Sequence, residues 1–523
     1  MLVKFLGTSA IIGGLLAPSA RAQSLPARPV IDSIVIVTND VFLSEEAEAN
    51  PAYGVMNSLH VKTRAQVVRR ELLFKVGEPY DSAKVEETRR NLRRIGLFRD
   101  IVLDTARVDG KLTVFVGTYD VWTTSLGFNA GSTGGTFTWS VNLSEANFLG
   151  TGNGGSLGYS HGVDRNTMTA GGSVRRLFGS NADGGASYSK FSDGRAASLA
   201  VQKPFRSYSD RNSVSAGGAT SSRRILQFRD GALLETWHRE FQRASFTAKV
   251  APVAGTRGYV RLGVLGQVKN ETYIHARDSL FPAPDSVSAA FGVSADARRA
   301  RFKVVTHYNG FARPEDVDLS AVMGVSAVLA PKAFGYARNG IGLSFTGQLG
   351  WPIGPSFLRG IVLSNGLFTS AGLDSGTVVG SVQLALRVIP RQATIFFVTA
   401  GREHNPAPGS EWDLGHQAGG PRAFGPHSFS GTRTVWGTIE HRVFAIDEVL
   451  AVLGIGFAAF VDYGGAWYAD EGVRKGGDVG FGFRIGPTRA TGTNLGRFDL
   501  AYKFGDGVTG NRWVFSFGRS LTY

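Results

Sequence analysis

The sequence lacks cysteine, and it has no long apolar run beyond its first residues. With no cysteine among 523 residues, disulfides, thiolate metal sites and a lipid anchor on an N-terminal cysteine are excluded. After residue 22, no stretch approaches the roughly 20 apolar residues that a membrane-spanning helix needs. The nine histidines show no spacing typical of zinc ligands. These absences count against a helical membrane protein and against an enzyme that depends on thiols or zinc.

The first 22 residues have the features of a secretory signal peptide. Lys4 gives a positive start, residues 5–17 form a short apolar stretch, and Ala20-Arg21-Ala22 is a small-x-small cleavage site. The apolar stretch is too short to cross a bilayer as a helix. We therefore predict that residues 1–22 are a signal peptide, with an uncleaved amphipathic anchor as the alternative.

Glycine and aromatic residues are abundant in the rest of the chain. The counts of 69 Gly, 35 Phe and 14 Tyr, without apolar helices, are typical of a transmembrane β-barrel. The net charge of +14 raises nucleic acid as a partner. The basic residues are scattered through strand-like segments, so we predict lumenal, lipopolysaccharide-facing and periplasmic charge and no nucleic-acid partner.

Residues 30–120 predict a small α+β domain with the order β-α-α-β-β. Its elements are predicted from local periodicity, breakers and caps at 34–37, 63–73, 81–95, 100–104 and 112–116. The stretch 39–62, which holds Glu45, Glu46 and Glu48, is predicted to be an insertion, either a loop or a short helix.

This order and two segments, 77–81 and 91–100, resemble a POTRA (polypeptide-transport-associated) domain. The second segment carries the junction of a helix, Gly96, Phe98 and a strand. The resemblance covers nearly the whole of 30–120 and implies a domain that handles polypeptides. Four arginines of the second predicted helix fit either an acidic partner or a solvated helix face: Arg89, Arg90, Arg93 and Arg94.

From Trp122 onward, apolar and polar residues alternate with a period of two. Between 136 and 145, for example, Phe137, Trp139, Val141 and Leu143 alternate with polar residues. Because every backbone donor in hydrocarbon needs a partner, such strands have to close into a barrel. We predict that residues 121–523 form a transmembrane antiparallel β-barrel, and a soluble β-sandwich is the alternative.

The C-terminal residues are typical of an outer-membrane barrel strand. Aromatic and apolar residues recur on one face, and the chain ends on an aromatic residue, at Trp513, Phe515, Phe517, Leu521 and Tyr523. Outer-membrane barrels commonly end in this way, so we predict that these residues are a C-terminal barrel signal.

Enzyme-like motifs occur, but their predicted context is wrong. Residues 154–158 have the spelling of a nucleophile elbow and 150–155 that of a dinucleotide fingerprint. Both are predicted to lie in barrel turns and strands, where neither the strand-to-helix turn nor the parallel unit that these motifs need is expected. We predict no catalytic residue, no cofactor and no metal site.

Three segments of the predicted barrel carry a family resemblance. Residues 145–153 look like the first hairpin of the bacterial surface-antigen barrel, 420–425 (GPRAFG) like its "VRGF/LRGY" loop motif, and 460–464 (FVDYG) like its late-strand "FxDxG" motif. Together with the POTRA resemblance, the mature chain resembles the BamA/TamA superfamily of outer-membrane assembly and translocation proteins.

This resemblance implies a 16-stranded barrel whose sixth extracellular loop folds back into the lumen. The loop-lock motif is Gly420, Arg422, Phe424 and Gly425; its implied wall partners are Asp462 and Glu440, and Phe460 and Gly464 complete the late-strand motif. A guanidinium held away from water needs carboxylate partners. The sequence departs from the family pattern at Pro421 and Ala423, and Ala423 would be strained if the loop needed a positive φ there. The alternative is a solvated loop arginine.

The resemblance also implies a function. The POTRA domain would capture unfolded outer-membrane or secreted polypeptides by strand addition, and the barrel seam, near 136–145 and 512–523, would template them. The implied location is the outer membrane of a Gram-negative-type bacterium with the POTRA domain in the periplasm. Implied partners are lipid, lipopolysaccharide and periplasmic chaperones or lipoproteins. Two alternatives stay open, namely a dedicated secretion pore for one passenger and a passive outer-membrane channel.

Overall fold

The computed structural model describes residues 29–133, 136–229, 231–274, 285–414, 419–489 and 495–519. An N-terminal α+β domain ends its last strand at Asp120, and the first barrel strand begins at Thr124. The predicted signal peptide, residues 1–22, lies outside the described residues. Among the helices of the described ranges, none is both long and apolar enough to cross a membrane.

In the described residues, the N-terminal domain consists of one three-stranded sheet and four helices, of which α3 and α4 contribute to its core. Its elements are β1 (Ser33–Asn39), α1 (Ser44–Ala49), α2 (Pro51–Leu59), α3 (Ala65–Glu71), α4 (Ser82–Ile95), β2 (Phe98–Val108) and β3 (Lys111–Asp120). The sheet order is β1-β3-β2, with β1 parallel and β2 antiparallel to β3. The predicted insertion, 39–62, contains the two short helices α1 and α2.

Local signals explain the ends of α4, the longest helix. The Asp81 side chain accepts a hydrogen bond from the Ala83 amide at 2.9 Å, and Gly96 ends the helix with a φ of 77°. Val85 and Leu92 are buried with the sheet residues Val114 and Val116 in one core. The domain is thus held together by apolar burial between its sheet and its helices.

Within the described residues, the closed barrel has twenty strands. In chain order they are β4 (Thr124–Thr133), β5 (Thr136–Phe148), β6 (Asn153–His161), β7 (Asn166–Val174), β8 (Asp183–Phe191), β9 (Gly194–Lys203), β10 (Asn212–Arg229), β11 (Ala232–Gly255), β12 (Gly258–Ile274), β13 (Ser286–Arg299), β16 (Ala321–Ala330), β17 (Gly340–Ile353), β18 (Ser356–Thr369), β19 (Gly372–Leu386), β20 (Gln392–His404), β23 (Arg433–Val449), β24 (Leu453–Trp467), β25 (Gly476–Pro487), β26 (Gly496–Gly505) and β27 (Trp513–Arg519). Two short hairpins lie outside the barrel wall, formed by β14 (Phe302–Val305) with β15 (Glu315–Asp318) and by β21 (Trp412–Leu414) with β22 (Phe429–Gly431).

The expectation of 16 strands is therefore wrong. That number was implied by the family resemblance, whereas in this chain several hairpins are closed by only two residues, as at 192–193, 256–257, 354–355 and 370–371. Such tight turns leave enough chain for four further strands. The number of strands is fixed by pairing around the whole barrel, which local alternation does not determine.

The alternation of side chains separates a lipid face from a lumenal face. On β24, Phe457, Val461 and Tyr463 are exposed on the outer face, while Phe460 and Asp462 are buried on the inner face. On β17, Ile341, Leu343 and Phe345 are likewise exposed. An apolar exterior around a polar interior is the arrangement of a membrane barrel.

The N-terminal domain lies against one end of the barrel, which we call the proximal mouth. Both oxygens of Glu46 accept hydrogen bonds from Arg489 at 2.8 Å, and the Asn91 amide donates to the Arg206 carbonyl at 2.9 Å. The hydrogen bond from Arg489 holds the pKa of Glu46 below its usual range. The opposite end, which we call the distal end, carries the long β20–β23 connection.

Candidate functional site

The candidate site begins with the distal loop, residues 405–432 between β20 and β23. Gly419 and Gly420 have φ values of 81° and 110°, which turn the chain toward the lumen at little steric cost. A Cβ added to Gly419 would lie 2.7 Å from the Trp436 ring, so the loop can lie this close to the wall only because residue 419 is a glycine. These two glycines bring Arg422 inside the barrel.

Arg422 is buried against carboxylates of the barrel wall. Its Nε and Nη2 donate to the two oxygens of Asp462 at 2.6 and 3.0 Å, and its Nη1 donates to Glu440 Oε2 at 3.0 Å. Thr438 accepts a further bond at 3.3 Å, and the guanidinium lies 3.8 Å from the centre of the Phe460 ring. The structure thus brings Arg422, Asp462, Glu440 and Phe460 together in a bidentate geometry that fixes the loop. Their role as a lock stays a prediction.

The ionic network is larger than the predicted trio. Glu440 also accepts from Arg442 Nε at 2.9 Å and from Arg484 Nη2 at 3.2 Å, and Arg484 Nη1 donates to Asp499 at 2.5 Å. We did not predict Arg442, Arg484 or Asp499. A signal was present for Arg484 and Asp499, because each is a charged residue between two apolar neighbours on a barrel strand and is therefore expected to face the lumen.

Ala423 is not strained. Its φ is not positive, and its amide donates to Asp478 Oδ2 at 2.8 Å. The expectation that Ala423 would loosen the loop if its φ were positive therefore does not apply. Asp478, which sequence reasoning missed, holds the backbone beside the Arg422 side chain.

The other predicted motif residues surround this network. Phe424 is buried and packs against Phe429 at 5.1 Å, and the Gly425 carbonyl accepts a bond from the Ser428 hydroxyl at 2.7 Å. A Cβ on Gly464 would lie 2.3 Å from the backbone of Trp436 on the paired strand. The loop-lock and late-strand motifs thus contribute packing as well as charge.

His427 holds the distal loop at a second point. Its two ring nitrogens lie 2.6 Å from Asp413 and 3.0 Å from Asp164, and its ring stacks on Phe228 at 3.5 Å. Burial by itself lowers the pKa of His427, but the hydrogen bonds to Asp164 and Asp413 outweigh it and raise the pKa to about 9. The imidazolium therefore ties the loop to the β6–β7 connection at neutral pH.

The barrel seam differs from the expected one. The first barrel strand is β4, so β27 lies beside Thr124–Thr133 and not beside 136–145, which belongs to the second strand. Local alternation at 136–145 is stronger than on β4, which explains the misplacement. Trp513 and Phe515 are exposed and Phe517 is half-buried on one face of β27, while Leu521 and Tyr523 lie outside the described residues.

The enzyme-like motifs lie where the sequence placed them. Residues 154–158 are part of β6, and 150–155 span the turn before it and the start of that strand. Within the described ranges, no three His, Asp or Glu side chains are grouped so that they could hold a metal ion.

Comparisons with known proteins give the following likenesses. Residues 57–122 match the family model POTRA, described as a surface antigen variable number repeat. A comparison with curated proteins finds no match. Among solved structures, the chain is similar to BamA from Haemophilus ducreyi lacking POTRA domains 1–3, at 13% identity and a TM-score of 0.41, over 94% of this chain and 84% of that one.

Two CdiB structures are similar to a comparable degree. CdiB from Escherichia coli has 11% identity and a TM-score of 0.46, over 96% of this chain and 92% of its own. CdiB from Acinetobacter baumannii has 10% identity and a TM-score of 0.44, over 94% and 73%. At these scores the likenesses carry no functional argument. The chain therefore contains a region that matches the POTRA family model, and a closed β-barrel follows it.

Proposed function

We propose that this protein inserts polypeptides into the outer membrane or moves them across it. The observation that carries the proposal is the buried Arg422 of the distal loop, held by Asp462 and Glu440 inside a barrel that follows a POTRA domain. Burying a guanidinium is costly unless carboxylates and further hydrogen bonds satisfy it. Because burying Arg422 is costly, its retention in the lumen is what we expect if the position of the distal loop matters for function.

The POTRA domain offers two strand edges for capture. Within its sheet, β1 and β2 each pair with β3 on one side only, and Val102 and Val108 on β2 are exposed. An extended polypeptide adds to such an edge through main-chain hydrogen bonds, with little demand on its side chains. We propose that the domain lies in the periplasm and captures unfolded outer-membrane or secreted polypeptides in this way.

The seam between β27 and β4 is the proposed site of insertion. The last strand, described over Trp513–Arg519, pairs with β4 at this seam, and an open strand edge in hydrocarbon is unstable until it is paired. An incoming hairpin would pair with the opened edge and bury its apolar face in lipid, which supplies the free energy. Lipid and lipopolysaccharide are the proposed surroundings, and periplasmic chaperones or lipoproteins are proposed partners.

The first test is the outer-membrane proteome after depletion of the protein. Broad loss of barrel proteins would support general insertion, and loss of one or two proteins would indicate a dedicated route. An unchanged proteome would contradict the proposal and favour a passive channel.

The second test is Arg422→Ala, with Arg243→Ala as a matched control. Arg243 is an exposed arginine of β11, so its loss removes the same side chain without opening the buried network. We expect Arg422→Ala to lower the levels of client proteins while the barrel still reaches the membrane, and Arg243→Ala to leave them unchanged. Normal client levels in Arg422→Ala would contradict a role for the loop.

A further inference from the structure

The segment between β13 and β16 enters the proximal mouth of the barrel. It consists of β14, β15 and the turn 306–314 between them, and we call it the mouth hairpin. Its tip residues Tyr308 and Phe311 are only 2% and 3% exposed, although they belong to a connection between strands. Their burial shows that the tip is packed into the lumen.

Tyr308 contacts lumenal residues of three neighbouring strands. Its ring packs edge-on against Phe357 of β18 at 5.2 Å, and it shares a buried cluster with Ala385 and Ile395. Its hydroxyl is hydrogen-bonded to the Gln383 amide. The tip is thus held by packing and by a satisfied polar contact, as a buried tyrosine requires.

Phe311 lies on a surface made of glycine. A Cβ added to Gly454 would lie 2.3 Å from Cγ of the Phe311 ring, and one added to Gly486 would lie 3.1 Å from the same ring. The ring also meets Phe444 edge-on at 5.3 Å. We call Gly454 and Gly486 the glycine seat, because only glycine leaves room there for an aromatic ring.

The mouth hairpin extends across a large part of the barrel opening. It leaves the wall between β13 and β16, whereas its tip reaches β24 and β25. In the strand order, β25 lies seven positions from β16 in a ring of twenty. A segment that joins such distant strands on the lumenal side narrows the opening.

The POTRA domain holds the mouth hairpin from outside. Arg93 of α4 binds both oxygens of Asp316, with Nε–Oδ2 and Nη2–Oδ1 distances of 2.5 and 2.8 Å. Arg313 donates to the Phe98 carbonyl at 2.9 Å, and the Arg90 guanidinium lies 4.7 Å from the Phe302 ring. All three contacts come from α4 and the start of β2.

The hairpin is also linked to the distal loop. Arg442 Nη1 donates to the Tyr308 carbonyl at 2.8 Å, and Arg442 Nε donates to Glu440 at 2.9 Å. Glu440 in turn binds Arg422. Two segments that enter the barrel from opposite ends are therefore linked through Arg442 and Glu440.

We propose that the mouth hairpin is a plug of the proximal mouth that the POTRA domain keeps closed. When a polypeptide occupies the POTRA domain, α4 shifts, the Arg93–Asp316 pair opens, and Phe311 leaves the glycine seat. This trigger rests on the proposed function, whereas the plug itself does not. The ion pair suits a releasable contact, because its groups are partly exposed and water can replace either partner.

A reversible crosslink tests the plug on one and the same protein. Phe311 Cγ is about 1.5 Å from its own Cβ, so the Cβ atoms of residues 311 and 454 lie within reach of a disulfide, which needs roughly 3.5–4.5 Å. The natural chain has no cysteine, so the full-length Phe311→Cys/Gly454→Cys variant contains a single possible bond. Conductance is measured in planar bilayers before and after reduction.

We expect low conductance when the bond is formed and about tenfold more open time after reduction, since the two states then differ in plug occupancy. Equal conductance in both states would overturn the plug. Phe457→Ala removes a lipid-facing ring from β24, the strand of Gly454. Its conductance should equal that of the wild type. If the crosslink controls conductance but depletion leaves the outer-membrane proteome unchanged, the plug stands and the proposed function fails.

The role of the POTRA domain is tested by Arg93→Gln and Asp316→Asn, with Arg94→Gln as control. Arg94 lies on the same helix and binds Asn91 of that helix at 3.1 Å, not the hairpin. We expect Arg93→Gln and Asp316→Asn each to raise the open time several-fold, and Arg94→Gln to leave it unchanged. Wild-type open times in Arg93→Gln and Asp316→Asn would overturn control by the POTRA domain.

Discussion

The two sides of the barrel lumen are built differently. The wall formed by β23–β26 carries large and charged inward side chains, among them Trp436, Glu440, Arg442, Asp462 and Arg484, and these are buried. The wall formed by β5–β9 carries small ones on its inward face, including Ser140, Asn142, Ser156, Gly158, Thr169, Gly171, Ser187 and Ser198. On both walls, inward-facing and outward-facing side chains alternate along each strand.

This difference shows where the lumen is filled. The charged wall binds the distal loop and the mouth hairpin, so its side chains are removed from water and need partners. The small polar wall contacts the distal loop only near one end, where Asp164 of the β6–β7 connection binds His427, among the described residues. Its inward serines are at most half-buried, as in the exposed Ser187–Ser198 pair at 2.8 Å. Most of the buried contacts of the site therefore lie on the charged wall. Substitutions on the two walls should differ accordingly.

The largest effect is expected from Glu440→Gln. Glu440 contacts three buried arginines, Arg422, Arg442 and Arg484, so loss of its charge leaves them poorly compensated. Removing one partner of a buried ion pair costs about 3–5 kcal/mol. Thermal unfolding of the detergent-solubilised barrel, followed by its mobility in gels, should show this loss. The matched variant Asn142→Ala on the small wall should unfold close to the wild type, and an equal loss in both would contradict the comparison.

Raising the pH should free the distal loop from the β6–β7 connection, which His427 binds through Asp164. Because the folded pKa of His427 is raised to about 9, above an ordinary value near 6.5, its stabilisation is full below about pH 6.5 and is lost as the pH rises through about 9. The corresponding free energy is on the order of 3 kcal/mol. Limited proteolysis of residues 405–432 should therefore accelerate between pH 7 and pH 10. His427→Gln should be cleaved at a rate that does not change over this range, and a parallel change in the variant would show that another group titrates.

A methyl group should be tolerated beside the small wall and not on the charged wall. At Gly464 a Cβ would lie 2.3 Å from the Trp436 backbone, whereas at Gly127 of β4, the strand paired with β5 of the small wall, it would lie 3.7 Å from the Asn142 carbonyl. We expect Gly464→Ala to cost about 1–3 kcal/mol through overpacking. Gly127→Ala should change stability by less than about 0.5 kcal/mol. Equal unfolding temperatures for the two variants would show that the charged wall can relax.

The smallest effect is expected from Ser187→Ala. Its hydroxyl bonds to Ser198 on an exposed part of the small wall, where water replaces a lost partner. Stability should stay within about 0.5 kcal/mol of the wild type. Thermal unfolding provides the measurement, and a loss as large as that of Gly464→Ala would mean that the small wall is packed against something.

Much of the architecture follows from local sequence patterns. The period-two alternation around Phe137 and Trp139 indicates a strand with one lipid face, because neighbouring side chains point to opposite sides whatever the strand pairs with. The Asp81 cap and Gly96 mark the ends of α4 for equally local reasons. The segments around Arg422 and Asp462 could be recognised because the resemblance pairs them. Sequence reasoning therefore found the centre of the candidate site.

The features that sequence reasoning missed depend on contacts between residues that are distant in the chain. Asp478 and Asp499 alternate as predicted, but their meeting with the distal loop depends on how four strands align. The mouth hairpin has no distinguishing local pattern, and only the packing of Phe311 against Gly454 and Gly486 reveals its place.

The sequence by itself determined the α+β domain followed by a barrel, the two faces of its strands, and the residues of the loop-lock motif. Only the tertiary structure decided that the described strands of the barrel number twenty, that the seam joins β27 to β4, and that Arg442 and Glu440 link the mouth hairpin to the distal loop. The physical reason is that alternation and caps are properties of neighbouring residues. Closure, register and the burial of charge are properties of the whole barrel, since each strand is positioned by partners far away in the chain.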